Sequence, residues 1–326
     1  MTATLPDFRK EVEKAVGAYI QSLPSDSLFE PMRYILSLGG KRIRPALVLL
    51  ATDAFGSSVK NSIPAALAVE IFHNFSLVHD DIMDEAPLRR NKPTVHTKWD
   101  DNTGILSGDA MLIEAYKQLQ SYQGKALADL FYIFNKTAME VCVGQRMDMD
   151  FEATYTVDEE QYIEMIGLKT AVLLGCSLQM GAIIAGASEE DRTSIYEFGK
   201  AAGIGFQLQD DYLDAFGDPE TFGKQVGGDI IANKMTYLII RAREKADINL
   251  SRELNSIYFE DGIKDPELKV ERVREIFRNL EVDRDIREKS QEYFRVSADL
   301  LSRMNISDSG KKNLLAFLGM LKGRKS

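Results

Sequence analysis

Apolar residues recur along nearly the whole chain at intervals of three and four, the period of a helix buried on one face. The alternation of two that marks a strand is rare. The helical period is clearest over residues 46–55, 63–80, 105–119, 126–143, 162–187 and 195–214, and predicts a helix over each. Pro45 suits a helix start, where its missing N–H costs nothing. Residues 91–104 are polar, hold Pro93, and read as a loop. So do residues 217–228, GDPETFGKQVGG, where glycines and Pro219 interrupt any helix. From about Ala246 onward the pattern is more charged yet still helical. With no repeat, low-complexity tract or linker, the expected fold is all-α: one domain over 1–326, a large helical bundle.

Composition narrows this further. A chain of 326 residues is long for one domain, but 44% hydrophobic residues can fill a deep core. The net charge of −10 argues against nucleic acid, whose phosphates need a basic surface. Cys142 and Cys176 both fall in apolar helical stretches and read as buried thiols rather than a disulfide. The N-terminal stretch MTATLPDFRKEVEKAV has no apolar core of signal-peptide type. No apolar run approaches the roughly 18–20 residues of a membrane span. The expectation is a cytoplasmic protein without a membrane span.

The chemistry is concentrated in acidic residues. The pattern Asp-Asp-x-x-Asp occurs twice, as Asp80, Asp81 and Asp84 and as Asp210, Asp211 and Asp214, each late in an apolar helical stretch. Residues four apart share a helix face, so Asp80 lies nearly above Asp84, and Asp210 above Asp214. Three carboxylates so placed repel one another, and a bound cation relieves that repulsion. Oxygen ligands without Cys or His suit Mg²⁺, which completes its shell with water and substrate phosphate. A solvated acidic helix face is the plainer reading of any one triplet. The doublet Asp100-Asp101, with no third Asp and no apolar frame, reads as loop.

Cationic partners are present too. In GGKRIRP, Lys41 and Arg44 follow two glycines that let backbone approach an anion. It is no nucleotide P-loop, since Ile35 and Arg42 stand where that motif needs Gly and Ser or Thr. Arg89 and Arg90 form a second cluster, Lys224 and Lys234 a third. Lys169, beside Thr170, interrupts an otherwise apolar helix, which is costly without a task or a partner. His73, His79 and His96 surround the first triplet, but no spacing among them supports zinc.

Taken in order, GGKRIRP, EIFHNFSLVHDDIMDEAPLRRNKPTVH, ILSGDAML, GQRMD, LKTAVLL, GFQLQDDYLDAFG, FGKQVGGD and NKMTYL resemble the trans-isoprenyl diphosphate synthases, the polyprenyl synthetase family. The series spans residues 39–238. Asn91 departs from the family pattern, which usually has glycine after the arginine pair, and marks the local turn as distinctive. The resemblance implies an all-α bundle around a deep central cavity, usually a homodimer, with two or three Mg²⁺ ions per active site. It implies that Lys41, Arg44, His73 and Arg90 hold isopentenyl diphosphate, and that Arg89, Lys169, Lys224 and Lys234 hold the allylic diphosphate. Asp80, Asp84 and Asp210 would be direct metal ligands, with Asp81, Asp211 and Asp214 acting through water or neighbours. Thr170 and Gln207 would line the reacting carbons.

Product length in such enzymes depends on side chains just before the first triplet. Here these are Phe75 and Ser76, with Phe72 a turn deeper. Helix rise puts Phe75 about 7–8 Å below Asp80, although the angles place Ser76 more directly beneath it. By resemblance, an aromatic there and the lack of a two-residue insertion in the triplet favour geranylgeranyl diphosphate (C20), then farnesyl diphosphate (C15). A class I terpene cyclase would replace the second triplet and have no use for Lys41 and Arg44. A non-catalytic partner subunit would be expected to have lost one triplet. A squalene-type enzyme would lack GGKRIRP.

Overall fold

The structure, a computed structural model, describes residues 3–152, 154, 156–218, 226–260 and 262–323. Helices dominate it. They are α1 (Leu5–Ser22), α2 (Glu30–Ser37), α3 (Ile43–Ala54), α4 (Ile63–Met83), α5 (Val95–Lys98), α6 (Asp101–Leu119), α7 (Gly124–Glu152) and α8 (Glu159–Ile166). A π-helical turn, Gly167–Ala171, joins α8 to α9 (Val172–Ile184). Then come α10 (Glu189–Phe216), α11 (Gly228–Ile231), α12 (Tyr237–Lys245), α13 (Ile248–Phe259), α14 (Pro266–Asn279), α15 (Val282–Arg303) and α16 (Asp308–Lys322). Among the described residues the one sheet is a two-residue ladder, Leu88–Arg89 antiparallel to Lys92–Pro93.

Local chemistry explains many of these boundaries. Asp158 and Gln161 form a reciprocal capping box at the start of α8, with bonds of 2.8 and 3.1 Å. Asp247 and Asp265 accept backbone N–H groups at the starts of α13 and α14, and Pro266 opens α14. The buried stripe of α1 (Leu5, Phe8, Val12, Val16) has the spacing of one helix face. By contrast α3 is buried almost all round.

Contacts divide the chain into two units. One holds residues 1–135, 176–196 and 304–314; the other holds 136–175, 197–303 and 315–326. Neither is a continuous piece of chain. In the first, α4 packs chiefly on α6, with α3 and α1 beside it. In the second, Phe151, Tyr162, Leu208, Tyr237, Leu254, Val273, Phe277 and Ile286 belong to one core drawn from α7, α8, α10 and α12–α15.

Four expectations change. Residues 91–104 are not one loop: they complete the ladder, form α5, and begin α6. Asp100 is not idle loop either, since its carboxylate caps α6 by accepting the Thr103 N–H at 2.7 Å. Cys176 is buried, but Cys142 is exposed, because it lies on the outward side of α7 near exposed Met139 and Val143. The run Glu159–Ile184 is long and apolar enough by length and composition to cross a membrane, and 78% of its apolar window is buried within the protein, as in a core helix. The helical period was read over residues 162–187, but Lys169 breaks the apolar run within it.

Candidate active site

In the first unit, a basic turn leads into α3. Gly39 (φ 75°) and Gly40 (φ 143°) adopt backbone that favours glycine, and Arg42 (φ 46°) follows in the left-handed region. A Cβ on Gly40 would stand 2.8 Å from the Arg90 guanidinium, which donates to the Gly39 carbonyl. Lys41 is exposed, whereas Arg42 is buried and donates to Glu70, to Glu13 at 3.0 Å and to the Leu36 carbonyl at 2.6 Å. Arg42 is therefore a brace inside the motif, a role the sequence reading missed. Its signal was Glu70 in the middle of an apolar helix.

Arg44 and His73 lie 3.2 Å apart. Burial, then the charges of Arg44, Arg90, Arg89 and Arg42, hold the imidazole well below its usual range. His73 is thus neutral near pH 7, and its Nε2 accepts from a guanidinium that can only donate. Lys41, Arg44, Arg89, Arg90 and neutral His73 make this part of the unit an anion-attracting environment.

Helix α4 ends at Met83 in the first triplet. Asp84 is its C-cap rather than an interior residue, and its N–H bonds the Asp80 carbonyl at 2.9 Å. Carboxylates there face the negative end of the helix dipole, which costs stability unless a cation is near. Asp81 is 1% exposed, and Arg89 Nε reaches both its oxygens, at 2.7 and 2.9 Å. Burial raises the Asp81 carboxyl, while Arg89 opposes the rise. Arg89 can do this because Arg90 (φ 54°) and Asn91 (φ 60°) form a two-residue hairpin with both turn residues left-handed. Asn tolerates that region, so the departure from glycine at 91 keeps a tight turn.

Phe72, Phe75 and Ser76 lie on the same helix. Phe75 stands edge-on to His79 (4.9 Å between centroids) and tilted against Phe72 (5.5 Å), which packs on Phe134 (5.3 Å). The Ser76 hydroxyl donates to the His73 carbonyl at 2.9 Å.

In the second unit, a pocket of about 120 Å³ is lined by Asp148, Lys169, Thr170, Gln207, Asp211 and Lys234, among others. Lys169 and Thr170 sit on the π-helical turn, a geometry frequent at functional positions. Two glycines hold that turn. A Cβ on Gly144 would lie 2.3 Å from the Lys169 nitrogen, and one on Gly203 would lie 2.7 Å from Ala171 Cα. The glycine of GQRMD is needed for this close approach, and its aspartate, Asp148, bonds Lys169 Nζ at 2.5 Å.

Asp211, 4% exposed, accepts from the Tyr162 hydroxyl and from Gln207 Nε2 at 3.0 Å. Burial, then the charge of Asp229, pushes its carboxyl well above the usual range. Asp214 accepts the Asp229 N–H at 3.0 Å and so ties the second triplet to the segment leading to Lys234. Asp148, Tyr162 and Asp229 were not singled out from sequence, although GQRMD and FGKQVGGD contain two of them. Lys224 lies outside the described residues.

As for a metal, no three His, Cys, Asp or Glu side chains form a ready cage among the described residues. The oxygen-only donors at the C-terminal ends of α4 and α10 nonetheless fit Mg²⁺, whose shell is partly water and phosphate.

Residues 25–277 match the family model described as polyprenyl synthetase. The chain belongs to the polyprenyl synthetase family. A geranylgeranyl diphosphate synthase of Methanosarcina mazei is 41% identical over 251 residues, covering 75% of this chain and 78% of that one. A farnesyl diphosphate synthase of Bacillus subtilis is 39% identical, covering 77% and 89%. A crystal structure of a geranylgeranyl pyrophosphate synthase superposes with a TM-score of 0.94 at 44% identity over the whole of both chains. The expected all-α isoprenoid synthase fold and short-chain trans-prenyltransferase class are borne out.

Proposed function

We propose that the chain condenses isopentenyl diphosphate head to tail with an allylic diphosphate in a Mg²⁺-dependent reaction. The main product is geranylgeranyl diphosphate (C20), with farnesyl diphosphate (C15) the alternative; the names of the relatives favour that order. The observation that carries the reading is a cationic cluster around neutral His73 together with two carboxylate triplets at helix C-termini. A diphosphate and its metal ions need both.

In this reading Lys41, Arg44, His73 and Arg90 bind isopentenyl diphosphate, and Arg89, Lys169, Lys224 and Lys234 bind the allylic diphosphate. Asp80, Asp84 and Asp210 are the direct ligands of two or three Mg²⁺ ions, with Asp81, Asp211 and Asp214 behind them. When bound, Mg²⁺ offsets charge developing on the departing diphosphate. The guanidinium and ammonium donors stabilise the same charge as the allylic C–O bond breaks. The Thr170 hydroxyl and Gln207 carbonyl turn negative dipole ends toward the allylic cation. The isopentenyl double bond forms the new C–C bond, and the proton it loses passes to the departing diphosphate.

Contact of Phe75 with Phe72 and His79 supports an immobile aromatic floor and a short product. We further propose one catalytic domain over 1–326, acting in the cytoplasm as a homodimer. Exposed Ile105, Leu106 and Ile113 on α6 support the dimer, and sedimentation of the purified chain tests it.

The deciding experiment incubates the protein with Mg²⁺, isopentenyl diphosphate and each allylic primer, and identifies products by mass. C20 or C15 products are expected. Chains of C30 or longer would remove Phe75 as floor, and no elongation from any primer would overturn the function.

A further inference from the structure

Tyr162 and Asp211 are both buried, at 3% and 4% exposure, and they meet Gln207 at the wall of the pocket that holds Lys169 and Thr170. Gln207 and Asp211 are one helical turn apart on α10. Both neighbours turn a donor toward this carboxyl group. Tyr162 supplies its hydroxyl to Oδ2, and Gln207 supplies Nε2 to Oδ1 at 3.0 Å. A planar amide has one donor end and one acceptor end. With the nitrogen committed to Asp211, the oxygen is turned away from it.

We propose that Tyr162 and Asp211 are positioning residues that clamp the Gln207 amide with its carbonyl oxygen toward the allylic carbons. The orientation matters because the two ends of the amide act oppositely on a carbocation. The oxygen end stabilises positive charge developing beside it, whereas the N–H end would oppose it. Asp211 thereby serves the reacting carbon through Gln207, and the Tyr162 hydroxyl keeps Asp211 in place. This inference rests on the proposed condensing activity.

The test compares wild type, Tyr162→Phe, Gln207→Leu and the double variant, using Mg²⁺, isopentenyl diphosphate and the primer that wild type elongates best. Tyr162→Phe is expected to lower kcat about tenfold. KM for both diphosphates and the Mg²⁺ activation midpoint should stay within about twofold. The double variant should be no slower than Gln207→Leu alone, because both changes remove one function. Multiplying losses would overturn the proposal, as would a loss confined to KM or to the Mg²⁺ midpoint. If Tyr162→Phe does not fold, Asp211→Asn replaces it in the double-variant comparison of kcat alone, since its N–H can turn the Gln207 amide over and Asp211 also stands behind the metal ligands. A wild type that elongates nothing sinks the proposed function and this inference together. An active wild type with multiplying losses sinks the inference alone.

Discussion

The two aspartate triplets share a sequence pattern and a place at a helix C-terminus, yet their middle residues are held in opposite ways. Asp81 is gripped by a charged partner, Arg89, delivered by a hairpin. Asp211 is held by neutral donors, Tyr162 and Gln207. The surrounding fields differ in sign as well. Burial depresses His73 near the first triplet and four arginines add to that, whereas burial raises Asp211 in the second and the charge of Asp229 adds to the rise. A repeated motif therefore fixes where carboxylates stand, and the neighbours fix what charge they feel. The first triplet sits in a cationic setting suited to anions. The second sits among acidic groups, with Lys169 paired to Asp148.

The largest expected effect tests what the triplets share. Asp80→Ala and Asp210→Ala should each lower elongation by roughly 10²–10³-fold while leaving the helical circular dichroism intact. Near-normal turnover in either variant would remove that residue from the proposed metal site. Next comes a change confined to the second unit. Gly144→Ala puts a methyl against the Lys169 backbone, and should cut turnover about tenfold and cost about 1–3 kcal/mol in urea unfolding. Gly17→Ala, with open space around its Cβ, is the control that should leave turnover unchanged.

Stability then separates the two middle aspartates. Arg89→Ala abandons a buried charge and should cost about 2–3 kcal/mol, below the usual figure for a buried pair because Arg89 is 26% exposed. Tyr162→Phe removes one neutral donor and should cost about 1–2 kcal/mol. Equal costs in urea unfolding would erase the contrast.

The smallest effect is one of pH. The unfolded His73 takes up a proton near pH 6.5, while the folded one resists until lower pH. Between those values the unfolded chain binds more protons, so stability falls as pH drops below about 6.5. Between pH 7.5 and 5.5 the wild type should lose about 1 kcal/mol more than His73→Gln. Parallel losses in the two proteins would show that His73 is not shielded.

The helices were legible because a buried helix face needs apolar residues every three or four positions, a signal that survives in one dimension. Both triplets were legible for the same reason, since acidic groups interrupt apolar faces at fixed spacing. The capping role of Asp100 was missed because a cap depends on the backbone N–H three residues on, which the Asp100-Asp101 doublet does not itself reveal. Cys142 was misplaced because periodicity reveals a helix without saying which side of a long one meets solvent.

Sequence alone determined the helical class, the two carboxylate triplets, the cationic motifs and, by their order, the family. These depend on residue types at short spacing along one helix or turn. Only the tertiary structure decided that Arg42 braces Glu70, that Arg89 holds Asp81, and that Tyr162 and Gln207 hold Asp211. It alone placed Gly144 against the π-helical turn. Apart from Gln207 and Asp211, which share a helix, such side-chain pairs are 8 to 49 residues apart, and which donor meets which acceptor depends on how separate elements pack. Burial sets the charge states for the same reason: desolvation belongs to the packed environment, not to the residue.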